Sequence, residues 1–324
     1  MSVSVFAPAS IGNVSVGFDV LGLAVRPIDG TLLGDVVTVT HSNSGDQLTV
    51  IGDFAQKLPS DSKDNIVWQC LLLFNQQLVA HQQDVAQVKI TLDKRMPVGS
   101  GLGSSACSVV AAVAGLNAFY QKYHDFSFAE QELLEMMGKM EAKISGSLHY
   151  DNVAPCFLGG MQLMVPDHTI ISRSLPAFED CYYIMAYPGI EVSTKAAREI
   201  LPVAYARADV ISFGQNLATF VDACHRHDKA QAFSVLKDVI AEPYRQAILP
   251  GYSDAVKYLT ESGCLAVGIS GSGPTLFCVT DDFNKAQQFA SWLNENYLQT
   301  SATGTSEGFV HICQTDSQGA VTLP

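Results

Sequence analysis

Short runs of alternating apolar and polar residues, separated by glycines, occupy roughly the first fifty positions of the chain. A period of two is typical of β-strands with one buried face. The alternation predicts strands at 3–6, 20–25, 35–41 and 47–51. We therefore expect the chain to begin with an antiparallel or mixed sheet.

The spacing becomes helical after this sheet. Apolar residues recur every three or four positions over 66–78, which predicts an amphipathic helix whose first turn Asp64 or Asn65 can cap. The pattern then predicts a strand at 85–92, a buried helix around the apolar run 109–116, and a helix from a Ser127–Glu130 capping box to about 144.

The second half of the chain is richer in helices. Strands at 159–165 and 169–174 are expected to form a hairpin around Pro166 and Asp167. Beyond it the pattern predicts strands at 181–186, 265–270, 275–280 and 309–313, and helices at 194–201, 211–225, 229–241, 252–262 and 282–297. Because the pattern changes near residue 166, we expect two domains, 1–165 and 166–324.

Charge limits the range of partners. The 324 residues include 19 Lys or Arg and 32 Asp or Glu, for a formal net charge of −13. An acidic chain is a poor partner for duplex nucleic acid or an anionic membrane, because both attract basic surfaces. The most membrane-like stretch, 96–121, is broken by glycines, Pro97 and serines, and it reads as a loop running into a buried helix.

The expected location is the cytoplasm. No Lys or Arg precedes Arg26, so the N-terminus lacks the basic region of a signal peptide. The eight cysteines are scattered and include no CxxC pair, which weakens zinc and redox-centre interpretations. Reduced cysteines in apolar surroundings fit a reducing compartment.

A glycine-rich loop is the clearest chemical signal. Ten residues join a predicted strand to a predicted buried helix: Pro97, Val98, Gly99, Ser100, Gly101, Leu102, Gly103, Ser104, Ser105 and Ala106. Glycines let backbone N–H groups approach a phosphate, and the start of a helix adds partial positive charge. The loop predicts an anion cradle, although a tight turn without a ligand is the simpler alternative.

Several familiar phosphate and nucleophile motifs are excluded. A Walker A loop needs a lysine after its last glycine, but no lysine occurs between Lys94 and Lys122. A dinucleotide fingerprint needs glycine where this chain has Ser104 or Ala106, and the GxSxG elbow is absent.

The loop is one of three motifs that occur together. Segments 8–19, 97–106 and 268–275 resemble, in order and spacing, the three motifs of the GHMP kinase superfamily, which includes galactokinase and the homoserine, mevalonate and phosphomevalonate kinases. Segments 141–155, 187–198 and 242–245 resemble homoserine kinases in particular, most closely those of gamma-proteobacteria. The resemblance extends over essentially the whole chain.

This resemblance implies a fold and a reaction. The fold would be α+β, with a ribosomal-protein-S5-domain-2-like N-terminal domain that binds ATP, a ferredoxin-like C-terminal domain, and an active site in the cleft between them. The reaction would be ATP-dependent phosphorylation of L-homoserine to O-phospho-L-homoserine in threonine biosynthesis. A homodimer is also expected, because the family often forms dimers.

The resemblance also implies roles for single residues. Asn65 and the whole glycine loop would bind ATP, and Ser104, Ser105 and Glu141 would hold Mg²⁺, which prefers hard oxygen ligands. The homoserine pocket would comprise Asn13, Asp19, His149, Asp151, Thr194, Arg198 and Arg245. Arg198 and Arg245 would bind the carboxylate, since the guanidinium fork matches that group. Either arginine taken singly is better explained by an intramolecular salt bridge.

Catalysis is assigned to Asn13, Glu141 and Asn152. Some relatives have an aspartate base near position 152, whereas this chain has a neutral amide that cannot accept a proton. We therefore expect catalysis by in-line alignment and electrostatic stabilisation, the proton leaving to phosphate or solvent. A kinase for another alcohol, such as mevalonate, and a non-catalytic nucleotide-binding protein are the alternatives.

Overall fold

The computed structural model of the chain describes residues 1–167, 169–298 and 307–324, and it confirms an α+β architecture built on two sheets. The strands are β1 (Ser2–Pro8), β2 (Ser10–Gly12), β3 (Leu21–Pro27), β4 (Gly34–His41), β5 (Gln47–Ile51), β6 (Val88–Asp93), β7 (Met161–Met164), β8 (Ser172–Leu175), β9 (Tyr182–Tyr187), β10 (Ala266–Ile269), β11 (Leu276–Thr280), β12 (Phe309–Thr315) and β13 (Val321–Leu323).

Ten α-helices connect or cover these strands in the described residues. They are α1 (Ile66–Ala80), α2 (Ser104–His124), α3 (Glu130–Ser145), α4 (Val153–Leu158), α5 (Thr194–Glu199), α6 (Arg207–Arg226), α7 (Lys229–Ser234), α8 (Glu242–Arg245), α9 (Tyr252–Glu261) and α10 (Phe283–Asn296). In this part of the chain, no helix is both long enough and apolar enough to cross a membrane.

The first sheet supports the glycine loop. Its strand order is β13-β1-β4-β6-β5, with β1, β4 and β6 antiparallel and β5 parallel to β6. Helix α2 packs against β1 and β4 and is buried along most of its length. This burial explains why the sequence around 109–116 carries no charge, and it places the loop that precedes α2 at the end of β6.

The second sheet joins the two halves of the chain. Its order is β10-β11-β9-β12-β3-β7-β8, and β2 pairs with β3 at one side. Strand β3 from the first half pairs with β12 from the second, while β13 returns to β1. Strands from both predicted domains therefore share each sheet, and the 165/166 boundary stays a prediction.

Most predicted elements occur, but three predicted helices have other limits. Helix α6 begins at Arg207 rather than at 211. Helix α3 begins at Glu130, and Glu132 rather than Ser127 supplies the cap, because its carboxylate accepts the Ala129 N–H at 3.0 Å. The predicted helix 229–241 ends at Ser234. There the Asp238 carboxylate accepts the N–H groups of 240, 241 and 242, which starts α8 instead.

Candidate active site

A cavity of about 390 Å³ lies where the glycine loop, the 12–19 segment, α5 and the 270–273 turn meet. Such a volume suits a small-molecule site. Most of the predicted site residues line it: Asn13, Asp19, Asn65, Val98, Gly99, Ser100, Gly101, Gly103, Ser104, Ser105, Glu141, His149, Asp151, Asn152, Thr194, Arg198 and Arg245. Pro97, Leu102 and Ala106 do not line it, because all three are buried in the protein interior.

The glycine loop depends on its glycines. Gly99, Gly101 and Gly103 all have positive φ angles, at 64°, 80° and 70°, which L side chains rarely adopt. A Cβ on Gly101 would lie 2.6 Å from the carbonyl oxygens of Ser270 and Gly273. The glycine loop therefore packs directly against the 270–273 turn.

A buried lysine fixes the start of α2. The Lys94 ammonium group is 2.6 Å from the Asp35 carboxylate and donates to the hydroxyls of Ser104 at 2.7 Å and Ser108 at 3.0 Å. Asp35 is fully buried and also accepts the N–H group of Met96 just before the loop. This cluster holds the strand end, the loop and the first turn of α2 together.

Ser104 and Ser105 have different environments. The Ser104 hydroxyl is bound by Lys94, whereas the Ser105 hydroxyl donates to Glu141 Oε1 at 2.7 Å. The second oxygen of Glu141 is buried and has no hydrogen-bond partner among the described residues. Burial raises the pKa of this carboxyl group. A buried oxygen without a partner, beside a second hard oxygen, is what a Mg²⁺ site would offer.

The segment after β2 forms a strained turn. Asn13, Val14 and Ser15 all have positive φ angles, at 69°, 45° and 52°, and such angles are outliers for a β-branched residue. The Asn13 amide supports the turn, since it accepts from the Asp19 N–H at 2.9 Å and donates to Gly271 O at 3.0 Å. Both ends of this amide therefore position backbone, including the backbone that carries Asp19.

The next feature is an ion pair at one end of the cavity. Arg198 donates through two nitrogens to the two carboxylate oxygens of Asp19, each at 2.8 Å. The intramolecular salt bridge considered for a single arginine is thus present. Both side chains remain about one-third exposed to the cavity, at 31% and 32%.

Arg245 is held differently. It is 97% buried and donates to the carbonyls of Ala197 at 3.2 Å and Gly271 at 2.8 Å. Burial lowers its pKa. The guanidinium groups of Arg245 and Arg198 both lie 5.5 Å from the ring of Phe18. The two arginines therefore converge on one side of the cavity.

Two acids and a histidine face these arginines. His149 Nδ1 lies 2.7 Å from Asp151 Oδ1, and His149 Nε2 is buried without a partner in the described structure. Burial lowers the pKa of His149, but Asp151 and the surrounding carboxylates outweigh burial and hold it above its ordinary value. Ligand atoms of Asp19, His149 and Asp151 lie within 4.8 Å of one another, a grouping that suits a cationic ligand group.

Asn152 lies between the two halves of the cavity. Its carbonyl oxygen accepts from the Ser10 hydroxyl at 2.9 Å, and its nitrogen donates to Asp151 at 3.3 Å. A Cβ on Gly12 would lie 2.6 Å from this amide, and one on Gly103 3.0 Å from it. Both glycines make room for Asn152 next to the glycine loop.

The remaining two predicted residues occupy opposite ends. Asn65 accepts from the Val67 N–H at 2.9 Å as the cap of α1, while its buried Nδ2 has no partner in the described residues. At the other end, the Thr194 hydroxyl lies 3.4 Å from that of Ser272.

Sequence reasoning missed Lys94, Asp35 and Phe18. The signal for the first two was a lysine three residues before the glycine loop and an acidic residue at the start of a valine-rich strand. Pairing them requires knowledge that β4 and β6 are neighbours.

Taken together, the cavity offers an anion cradle, a hard-oxygen pair, and paired positive and negative side chains at one end. This arrangement can hold a polyphosphate beside a small zwitterion.

Comparisons with known proteins agree with this geometry. The sequence model of the GHMP kinases N terminal domain matches residues 65–160, and that of the GHMP kinases C terminal domain matches 220–299. The crystal structure of homoserine kinase from Cytophaga hutchinsonii is similar over 99% of this chain and 97% of that one, with 32% identity and a TM-score of 0.87.

More distant structures share the fold. The Streptococcus pneumoniae phosphomevalonate kinase matches 97% of this chain and 99% of its own, with 12% identity and a TM-score of 0.71. Mevalonate diphosphate decarboxylase from Staphylococcus aureus matches 100% and 99%, with 13% identity and a TM-score of 0.67. Because proteins with different reactions share this fold, the substrate has to be argued from the site.

Proposed function

This chain belongs to the GHMP kinase family, and from that premise we propose that it transfers the terminal phosphoryl group of ATP to the side-chain hydroxyl of L-homoserine. The products would be ADP and O-phospho-L-homoserine, the step that commits homoserine to threonine synthesis. The proposed setting is the cytoplasm, in line with eight free cysteines.

One observation carries the choice of acceptor: the ion pair between Asp19 and Arg198 lies in the cavity itself. A zwitterionic amino acid can replace this pair with two new pairs, its ammonium group on Asp19 and its carboxylate on Arg198. A ligand with only one charge would leave one of the two side chains without a counterion, which costs binding free energy. A neutral sugar would form neither of the two new ion pairs. The pocket therefore favours amino acids over mevalonate or sugars.

At the other end of the cavity, the glycine loop would bind the triphosphate and Asn65 the nucleoside. The free Nδ2 of Asn65 provides a donor for a base or ribose acceptor. Glu141 and Ser105 would hold Mg²⁺, and Ser105 is favoured over Ser104 because the Ser104 hydroxyl already accepts from the Lys94 ammonium group. When bound, the metal neutralises phosphate charge.

Asp151 is poorly placed to act as a base for the acceptor hydroxyl. Both oxygens of Asp151 are occupied, one by His149 and the other by Asn152. We therefore propose that Asn152 orients the hydroxyl and that Asn13 positions Asp19, with catalysis arising from alignment and charge stabilisation. Loss of a single titrating base from the pH profile of kcat/KM on Asp151→Asn substitution would contradict this.

The acceptor assignment is tested by ADP release with Mg-ATP and L-homoserine, L-serine, mevalonate, galactose or shikimate. We expect turnover with homoserine, and Arg198→Ala should raise the homoserine KM by roughly 10- to 150-fold, because a charged hydrogen bond contributes about 1.5 to 3 kcal/mol. The ATP KM should change little.

Other outcomes would identify the alternatives. Turnover with another alcohol would keep the phosphotransfer chemistry and reject the pocket assignment. ATP binding without turnover of any acceptor would favour a non-catalytic protein. A rise in the ATP KM alone would show that Arg198 belongs to the nucleotide end of the cavity.

We further propose a homodimer that forms through the uncharged middle of α6. Residues 210–221 carry no charge, Ile211 is 52% exposed, and a Cβ on Gly214 would meet no atom within 4 Å. An uncharged helix face lets two copies of a −13 chain meet without like charges in contact at the interface.

Light scattering tests the dimer. We expect the wild type and the control Ile51→Asp to be dimers and Ile211→Asp to be a monomer. A monomeric wild type would refute the proposal.

A further inference from the structure

The cavity has balanced charges before any ligand enters. Five acidic residues line it: Asp19, Asp64, Glu141, Asp151 and Glu191. Five basic residues also line it: Lys57, Lys94, Lys195, Arg198 and Arg245. A nucleoside triphosphate adds several negative charges, and one divalent ion offsets only two of them. Phosphoryl transfer therefore needs basic side chains whose charge is not already used.

Three of the five basic residues are already engaged. Lys94 is paired with Asp35 at 2.6 Å, and Arg198 is paired with Asp19 at 2.8 Å. Arg245 is buried and donates hydrogen bonds to two backbone carbonyl groups. The positive charge of each of these three side chains is therefore already engaged by contacts within the protein.

Two lysines of the lining, Lys57 and Lys195, remain without an acidic partner or side-chain hydrogen bond in the described residues. Lys57 lies eight residues before Asn65, the residue assigned to the nucleoside, and both line the cavity. Lys195 lies in the first turn of α5, next to the glycine loop.

Contacts fix the position of this turn on the loop. The Val192 N–H donates to Gly99 O at 3.0 Å, and a Cβ on Gly99 would lie 2.5 Å from the side chain of Glu191. The Ser193 hydroxyl caps α5 by accepting from the Ala196 N–H at 3.4 Å. Lys195 is thus three residues from a direct backbone contact with the phosphate cradle, on the same short helix as Thr194 and Arg198.

We propose that Lys195 binds the terminal phosphate of ATP and stabilises the charge that develops there during transfer. It supplies, from the second half of the chain, the positive charge that a Walker lysine supplies from within its own loop. Because α5 also carries Arg198, the same helix would hold both the acceptor and the transferring group. This inference rests on the proposed phosphotransfer function.

The test compares Lys195→Met with Lys195→Arg, and it uses Lys57→Met and the exposed Lys257→Met as matched controls. Calorimetry at fixed salt gives the Kd values for Mg-ATP and Mg-ADP without an acceptor. We expect Lys195→Met to weaken ATP binding about 10-fold and ADP binding much less, and to lower kcat about 100-fold. Lys195→Arg should recover part of kcat, and Lys257→Met should match the wild type.

Two results would overturn the proposal. One is wild-type kcat and ATP affinity in Lys195→Met. The other is an equal loss in Lys195→Met and Lys57→Met for both nucleotides, which would show only general attraction of anions. The ATP and ADP affinities are measured without an acceptor, so they test Lys195 even if the wild type phosphorylates no alcohol in the panel. In that case the proposed function would fail, and the nucleotide affinities would still decide whether Lys195 binds the terminal phosphate.

Discussion

Lys94→Met is expected to lower the free energy of unfolding by about 3 to 5 kcal/mol, because it leaves the Asp35 carboxylate buried without its counterion. Asp35 is fully buried and Lys94 is 1% exposed, so water cannot replace the lost partner. The Ser104 and Ser108 hydroxyls would lose the same donor. Chemical denaturation monitored by circular dichroism measures the change.

The double variant Lys94→Met, Asp35→Leu is the informative control. Removing both charges restores a neutral interior, so it should regain much of the stability lost in the single variant. The exposed Lys257→Met should leave stability unchanged. An unchanged denaturation midpoint for Lys94→Met would show that the Lys94–Asp35 ion pair does not stabilise the fold.

The same cluster explains why the glycine loop can be rigid. Glycine lowers the strain of left-handed backbone but leaves the unfolded chain more freedom, so a loop with three such residues needs external support. Lys94 binds the end that enters α2, and the Thr275 hydroxyl donates to Ser100 O at 2.7 Å in the middle. The cradle is therefore formed before a ligand arrives, which lowers the entropy cost of binding.

Periodicity predicted the elements that bury a regular face. Helix α1, the uncharged interior of α2, and the strands β10 and β11 all follow from local spacing, although spacing left the cap of α1 open between Asp64 and Asn65. Some short elements were not predicted, because three to six residues hold little periodic pattern. Strands β2 and β13 and helix α4 are defined by partners elsewhere in the chain.

The site was less predictable from local sequence than the fold. Asp19 and Arg198 are separated by 179 positions, and nothing in either neighbourhood indicates that they pair. The left-handed turn at Asn13–Ser15 contains a valine, which local propensity disfavours there. Such features depend on tertiary contacts, and the family resemblance supplied most of the candidate residues instead.

The active site also concentrates the local conflicts of this chain. Val14 is strained, Glu141 is buried with a raised pKa, and the His149 Nε2 atom has no partner among the residues described. Each is unfavourable for folding alone. All three lie around one cavity. This is typical of functional sites, where a bound ligand, rather than the protein alone, compensates for strain and for unpartnered polar groups.

Glu141→Gln is expected to lower kcat by about 1000-fold at saturating Mg-ATP while the protein stays folded. The amide keeps the shape of the side chain but removes the negative charge beside the Ser105 hydroxyl, and a group that stabilises transition-state charge contributes about 10²- to 10³-fold. Glu135→Gln, an exposed change on the same helix, is the control and should retain wild-type turnover.

The pH profile separates this role from a structural one. Since burial raises the pKa of Glu141, its carboxylate protonates at a higher pH than an ordinary glutamate, and wild-type kcat/KM should fall early on the acid side. The Gln variant has no such group, so its residual activity should lose that part of the acid limb. It should also need more Mg²⁺ to reach half of its own maximal rate. Turnover by Glu141→Gln at the wild-type rate, with unchanged Mg²⁺ dependence, would show that the metal is held elsewhere in the cavity.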